Sequence, residues 1–140
     1  MAQFQWQDSF NTGIATVDAQ HRKLVEMINQ LDRRNLSRAP GNTIKDVLVA
    51  LVAYTQEHFA DEERHMEEIG YANLGQHKAL HKSFTSKIIA VLLDLKDDKT
   101  IDPRELRTFL TTWFISHILN EDKKMAVFPT EHPTANAPAR

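Results

Sequence analysis

Apolar residues recur every three or four positions in four segments of the chain, and turn-forming residues separate these segments. This period is that of an α-helix with one buried face, because about 3.6 residues complete each helical turn. No strand pattern competes, since β-branched and polar residues do not alternate over a useful length. The predicted inner faces carry, in chain order, His21, Leu24, Ile28 and Leu31; Ile44, Val47, Leu51, Tyr54, His58, Glu62 and His65; His77, Leu80, His81, Phe84, Ile88, Val91 and Leu95; Leu106, Phe109 or Leu110, Trp113 and His117.

Local signals predict where the first two helices begin. Asp18 follows an arm that bears aromatic residues, and its side chain can cap the first helix. That helix should end near Leu36, before a turn-forming stretch over residues 37–42. Thr43, followed three residues later by Asp46, predicts the start of the second helix.

The remaining helix boundaries have signals of the same kind. Gly70 closes the second helix, and the polar stretch over residues 96–100 ends the third. Asp102 offers a cap, Pro103 suits the first helical position, and Glu105 stands at the third. These residues predict the start of the fourth helix.

Helices of about 20 residues with short connections favour antiparallel neighbours. The sequence therefore predicts an all-α fold, an antiparallel up-down-up-down four-helix bundle with an extended N-terminal arm. A chain of 140 residues suits one domain. We expect that domain over residues 1–126, with the arm over residues 1–17, and a flexible tail over residues 127–140, which contain three prolines.

Composition excludes several classes of function. A net charge of −2 gives no basic footprint for nucleic acid or for an anionic membrane, so neither is an expected partner. With no cysteine, the chain cannot form disulfides, thiolate zinc sites or iron–sulfur clusters. The longest apolar run, residues 47–54, is too short to cross a bilayer, and no export signal is visible, so we expect a cytoplasmic protein. No large apolar stripe remains once the inner faces are assigned, which favours a monomer.

Histidine is the informative residue type in this sequence. Five of the seven histidines fall on the predicted inner faces: His21, His58, His77, His81 and His117. Each buried imidazole needs a polar partner, yet Ser, Thr and Asn are scarce on these faces. A metal ion held by nitrogen and oxygen ligands would supply that partner.

Spacing within the helices supports a metal site. His77 and His81 are four residues apart, as are His58 and Glu62, so each pair shares one helix face. In an antiparallel bundle, His21, His117 and both pairs also lie at the same end. This agreement in height is stronger evidence than any single pair.

The choice of a second carboxylate stays open on geometry alone. Asp122 lies five residues after His117, about 140° around a regular helix, whereas Glu121 lies four residues after it and nearer the inner face. Five imidazoles and two carboxylates exceed the needs of one ion, and two octahedral first-row metals fit better. If both carboxylates and a solvent oxygen bridge the two metals, three histidines complete six ligands at one metal. The remaining two histidines leave the other metal with an empty coordination position.

Several motifs match a known family, and together they run from Phe4 to Asp122. They are Phe4-Gln-Trp6, Gly13-Ile14, Val17-Asp-Ala-Gln-His21, His58-Phe59-x-x-Glu62-Glu63, His77-x-x-x-His81 and Trp113-x-x-x-His117-Ile118-x-x-x-Asp122. In these motifs the chain resembles the hemerythrins, and most closely the single-domain bacteriohemerythrins.

The resemblance implies a ligand set and a cofactor. His77, His81 and His117 would hold a six-coordinate iron, and His21 and His58 a five-coordinate iron. Glu62 and Asp122 would bridge the two irons together with an oxo or hydroxo group. The resemblance thus selects Asp122 over Glu121.

The resemblance also implies a function, which is reversible binding of dioxygen for oxygen transport, storage or local supply to an oxygen-consuming protein. The chain would then not be an enzyme. A wall of apolar side chains would surround the open iron position: Leu24, Phe59, Trp113, Phe114 and Ile118. Phe114 is larger than the Leu that many relatives have there.

Two other functions compete with oxygen binding. A di-iron peroxidase or nitric-oxide-handling enzyme would need an acid near the open position, which the sequence does not show. An oxygen or iron sensor would act through a partner. Glu63, Arg64, Glu67 and Glu68 form a charge run that we interpret as a solvated helix face.

Overall fold

The computed structural model describes residues 4–32, 36–39 and 41–131, and in these residues it contains five α-helices and no β-strand. The helices are α1 (Ala15–Asn29), α2 (Ile44–Glu68), α3 (Leu74–Lys96), α4 (Pro103–His117) and α5 (Lys123–Glu131). A 3₁₀ turn over Asp8–Phe10 precedes α1, and one π-helical turn over Ile118–Asp122 joins α4 to α5. Because α5 continues α4 beyond this turn, the four long helices are those that the sequence predicts.

The helices α1 to α4 form the predicted antiparallel bundle. His21 lies near the beginning of α1, His58 near the end of α2, His77 near the beginning of α3, and His117 at the end of α4. The side chains of all four converge on one place, so consecutive helices must run in opposite directions. Aliphatic and aromatic side chains from every helix fill the rest of the interior.

Two of the predicted helix starts are confirmed by their caps. The Thr43 hydroxyl accepts a hydrogen bond from Asp46 N at 3.1 Å. The Asp102 carboxylate accepts one from Arg104 N at 2.9 Å. Each bond satisfies an amide that has no partner within the first helical turn.

The predicted boundaries of the first helix are wrong. The helix begins at Ala15 and not after Asp18, whose carboxylate instead accepts hydrogen bonds from Thr12 N at 2.8 Å and from Gly13 N at 3.1 Å. Asp18 thus holds the arm against the first turn of α1. The helix also ends at Asn29, well before Leu36, and the Asn29 side chain exchanges two hydrogen bonds with the backbone of Phe4.

The end of the chain also differs from the expectation where it is described. We expected the tail to begin at residue 127, but α5 continues through Glu131. Residues 132–140, which include His132, lie outside the described residues, and a flexible tail there stays a prediction.

The buried face of α4 answers a question that the sequence left open. Leu110 is completely buried, whereas Phe109 is only half-buried, so Leu110 is the core residue of that pair. Phe114 is buried as well, while its neighbour Trp113 is half-buried. Periodicity could not separate these adjacent positions because neighbouring residues are about 100° apart and an apolar stripe can be wide enough to include both.

None of the helices in the described part of the chain is long and apolar enough to span a membrane.

Candidate metal centre

Five imidazoles and two carboxylates meet at one end of the bundle. They come from all four long helices and from the π-helical turn, and each is buried: His21, His58, Glu62, His77, His81, His117 and Asp122. The structure therefore brings together all seven side chains that the sequence analysis selects as metal ligands. Within this cluster the donor atoms form two groups.

The first group, which we call the three-His group, consists of His77, His81 and His117. His117 Nε2 lies 3.2 Å from His81 Nε2 and 3.1 Å from His77 Nε2. One oxygen of each carboxylate faces these nitrogens. Glu62 Oε1 lies 3.1 Å from His81 Nε2, and Asp122 Oδ1 lies 3.0 Å from His77 Nε2.

The second group, which we call the two-His group, consists of His21 and His58. Glu62 Oε2 lies 3.2 Å from His21 Nε2 and 3.0 Å from His58 Nε2. Asp122 Oδ2 lies 3.1 Å from His21 Nε2. Each carboxylate thus presents one oxygen to the three-His group and the other oxygen to the two-His group.

These separations fit the edges of metal coordination shells. Donor atoms on adjacent corners of an octahedron with bonds of about 2.1 Å lie about 3.0 Å apart. Imidazole and carboxylate together form a donor set that suits divalent first-row metals.

Several of the donor atoms lack any other partner. His58 Nε2, Glu62 Oε1 and both Asp122 oxygens are buried without a hydrogen bond to any residue that the structure describes. Leaving such atoms buried and unpaired is costly, and a metal ion would satisfy them. The residues present therefore fit a metal pair.

The π-helical turn explains why Asp122 belongs to the cluster. Lys123 N donates to Ile118 O, five residues back, so the helix is locally wider than an α-helix. This extra residue brings Asp122 onto the inner face, where it is fully buried, and leaves Glu121 half-buried outside the cluster. The geometric preference for Glu121 was wrong because it assumed a regular helix.

Without a metal ion, the cluster would hold protons. Burial opposes a charge on the His21 imidazole, but close contacts with Asp122 and Glu62 outweigh it and raise the pKa to about 9. The pKa of His77 is raised to about 9 for the same reasons.

The two carboxyl groups respond in the opposite direction. Burial alone would raise the pKa of Glu62, but the charge of His58 and contacts with neighbouring imidazoles hold it well below its usual range. Burial and the nearby Glu62 also oppose ionisation of Asp122, yet contacts with His117 and His21 lower its pKa. Both carboxylates are therefore ionised and ready to bind a cation.

Aromatic rings hold the imidazoles from outside. Phe59 stacks on His81, with ring centroids 3.8 Å apart, and Trp113 stacks on His117 at 4.5 Å. Phe114 meets His21 edge-on at 5.8 Å.

The predicted apolar wall therefore extends over both groups. Of the five residues expected around an open position, Phe114 lies beside the two-His group and Trp113 stacks on an imidazole of the three-His group. Phe59 contacts both groups, because its ring stacks on His81 and lies 5.8 Å from the His58 ring. Leu24 and Ile118 are completely buried in the same core.

Sequence reasoning missed the outer partners of two imidazoles. Glu63 was assigned to a solvated face, but its Oε2 lies 2.9 Å from His81 Nδ1. Gln20 Oε1 lies 2.6 Å from His58 Nδ1. The only available signal was that each partner is adjacent in sequence to a predicted ligand. His65, by contrast, is half-buried on α2 and belongs to neither group.

Comparison with known proteins extends these observations. The profile of a family described as "Hemerythrin HHE cation binding domain" matches residues 12–128. A bacteriohemerythrin from Stenotrophomonas maltophilia is 38% identical over 128 residues, which are 90% of this chain and 81% of that protein. A myohemerythrin from Riftia pachyptila is 31% identical over 121 residues, covering 86% of this chain and 89% of that protein.

Solved structures agree with the sequence comparisons. A wild-type hemerythrin crystal structure superimposes with a TM-score of 0.78 and 27% sequence identity. The superposition covers 87% of this chain and 94% of that chain.

Proposed function

The chain belongs to the hemerythrin family, and from this premise we propose that it binds dioxygen reversibly at two iron ions held by its seven buried donor side chains. Such binding serves oxygen transport, storage or local supply. When bound, the iron pair supplies electrons that dioxygen takes up on binding and returns on release.

The arrangement of carboxylate oxygens is the observation that carries this proposal. Glu62 offers Oε1 to the three-His group and Oε2 to the two-His group. Asp122 divides its Oδ1 and Oδ2 in the same way. A single ion would need the carboxylate oxygens to face one group of imidazoles. Two ions, one in each group, would each bind one oxygen of both carboxylates.

The number of donors supports one open position. The three-His group with one oxygen each of Glu62 and Asp122 brings five donor residues together, whereas the two-His group with Glu62 brings three. A fourth donor for the two-His group is Asp122 Oδ2, which lies 3.1 Å from His21 Nε2. The two-His position therefore has fewer protein donors and would hold the iron that keeps an open coordination position. The two-His position would then be the place where dioxygen binds.

Apolar side chains protect this position from water. Leu24 and Ile118 are completely buried, and the Phe114 ring covers one edge of His21. Exclusion of water and protons favours release of dioxygen unchanged over release of a reduced product.

The state of the two carboxylates favours binding over turnover. Breaking an oxygen–oxygen bond is helped by an acid beside the metals, but Glu62 and Asp122, the two buried carboxyl groups of the centre, both serve as metal ligands in this proposal. A carboxylate that binds a metal has no proton to donate. We therefore propose that the chain acts as an oxygen-binding protein and not as an enzyme.

Anaerobic reconstitution with Fe²⁺ tests this function. We expect two irons per chain, a visible absorption band that appears in air, and loss of that band when oxygen is removed, over repeated cycles. Far fewer than two irons per chain, or irreversible bleaching after one exposure, would contradict the proposal. Steady turnover of hydrogen peroxide or nitric oxide would instead favour an enzyme.

A matched pair of histidine variants on α2 controls for general effects of substitution. His58→Ala removes a donor from the two-His group and should abolish the oxygen-dependent band. His65→Ala removes an imidazole from the same helix outside both groups and should leave the band intact.

We also propose that the chain acts as a cytoplasmic monomer that delivers oxygen to an oxygen-consuming protein. Large exposed apolar side chains are dispersed over three helices and the π-helical turn, which supports a monomer. Sedimentation at micromolar concentration would test the oligomeric state, and a dimer would contradict this part of the proposal.

A further inference from the structure

Three consecutive acidic residues on α2 stand in different relations to the metal centre. Glu62 points into the centre, between the two groups of imidazoles. Its neighbours, Asp61 and Glu63, lie outside, and each is linked to one imidazole by hydrogen bonds. The two links differ in length and in charge.

The link to the three-His group is direct. Glu63 Oε2 lies 2.9 Å from His81 Nδ1, and the Glu63 side chain is 26% exposed. A carboxylate only accepts hydrogen bonds, so His81 Nδ1 carries the proton and donates it. His81 Nε2 is then left with a free lone pair that faces the centre.

The link to the two-His group passes through an amide. Gln20 Nε2 donates to Asp61 Oδ2 at 2.8 Å, which turns Gln20 Oε1 towards His58 Nδ1 at 2.6 Å. Arg64 in turn donates to Asp61 Oδ1 at 3.2 Å. His58 Nδ1 thus donates to a neutral acceptor, and the carboxylate of this link, Asp61, is one residue further away and is paired with a cation.

An acceptor on the outer nitrogen has two effects on an imidazole ligand. It fixes the tautomer and the ring orientation, and it makes the inner nitrogen a better donor to a metal. A charged acceptor has the larger effect because a charge-assisted hydrogen bond is stronger than a neutral one. His81 should therefore be the better donor of the two.

We propose that Glu63 and Asp61 are positioning residues that set the metal affinities of the two positions unequally. Glu63 strengthens the three-His position through its direct bond to His81. Asp61 acts more weakly on the two-His position, through Gln20 and His58. This inference rests on the proposed function, since it requires that both positions bind metal.

Titration of the metal-free protein with Co²⁺, in competition with a chelator, tests the inference. Wild-type protein should bind two Co²⁺ in two resolved steps. Glu63→Gln should weaken one step about 10- to 100-fold. Asp61→Asn should weaken the other step by less, because the charge that it removes acts through an amide.

Glu67→Gln is the matched control, because it removes one negative charge from α2 one turn further along. Glu67 is exposed and pairs with Lys78 at 3.3 Å, away from both groups. Both Co²⁺ affinities of this variant should stay within about twofold of wild type, as expected for a surface ion pair. Glu63→Gln should also raise the reduction potential of the iron-loaded protein above that of Glu67→Gln. The reason is that Glu63→Gln removes a negative charge close to the centre, and this charge would stabilise ferric iron relative to ferrous iron.

The outcomes separate the two proposals. If wild-type protein binds two Co²⁺ but Glu63→Gln behaves like Glu67→Gln, the positioning role is wrong and the proposed function stands. The positioning role is also wrong if Glu63→Gln and Asp61→Asn weaken the same step. If wild-type protein binds fewer than two ions, the proposed function fails as well.

Discussion

Phe114 offers a sharp test of how the core protects the two-His group. Its ring is 1% exposed and meets His21 edge-on at 5.8 Å, and it meets Phe84 edge-on at 6.2 Å. Phe114→Leu removes these two contacts with other helices and an edge-on contact with its neighbour Trp113 at 6.0 Å, and it leaves a small void beside His21. We expect lower stability and faster irreversible oxidation of the iron-loaded protein in air.

The stability cost can be estimated from these contacts. Each edge-to-face aromatic pair contributes about 0.5–1.5 kcal/mol beyond the area that it buries. The two contacts between helices therefore account for a loss of about 1–3 kcal/mol, and Leu still fills most of the space. For a chain of 140 residues this loss corresponds to a decrease in Tm of about 3–10 °C.

Thermal unfolding and the decay of the oxygen-dependent absorption band are the two measurements. Ile28→Val is the control, because Ile28 is completely buried in α1 two turns beyond His21. This change costs about 0.5–1.5 kcal/mol and does not open the wall beside the metal centre. If both variants lose stability but their bands decay at the same rate, Phe114 does not protect the metal centre from water.

Three further predictions address the centre and the opposite end of the bundle. Asp122→Asn should lower the iron content to about one iron per chain or fewer, because an amide nitrogen cannot bind a metal, whereas Glu121→Gln should leave two irons per chain. Elemental analysis of the two variants is the measurement. Arg107→Met removes the ion pair between the buried Arg107 guanidinium and the Asp32 carboxylate at 3.4 Å and should cost on the order of 2–3 kcal/mol in chemical denaturation, and the same change should cost less in an Asp32→Asn background. In the metal-free protein, burial opposes a proton on His77, but the two carboxylates outweigh burial and raise the pKa of His77 to about 9. The stabilisation that protonated His77 contributes is therefore present below pH 6.5 and is lost as the pH rises to about 9. A Tm that stays constant over this pH range would contradict the argument.

The sequence could predict those features that depend on residues close together in one helix. The four long helices follow from apolar periodicity, and the caps at Thr43 and Asp102 follow from local hydrogen bonding. Pairs such as His77 and His81 share a face because they are four residues apart. Helical spacing fixes each of these relations wherever the helix lies in the fold.

Contacts between segments determined the rest. Asp18 was expected to cap α1, but the folded arm takes up its carboxylate, so the helix begins earlier. The partners of His58 and His81, which are Gln20 and Glu63, depend on the rotation and height of neighbouring helices. Spacing along one helix contains no information on either quantity.

Asp122 shows where the two kinds of information meet. The sequence by itself determined that a helical bundle would form, with five inward histidines and Glu62 at one of its ends. The resemblance of the sequence to a known family pointed to Asp122. Regular helical geometry nevertheless favoured Glu121. Only the tertiary structure, through the π-helical turn over Ile118–Asp122, brought Asp122 inside. The physical reason is that a helix departs from its regular period where contacts with the rest of the fold outweigh the cost, and one sequence does not contain that balance in any local pattern.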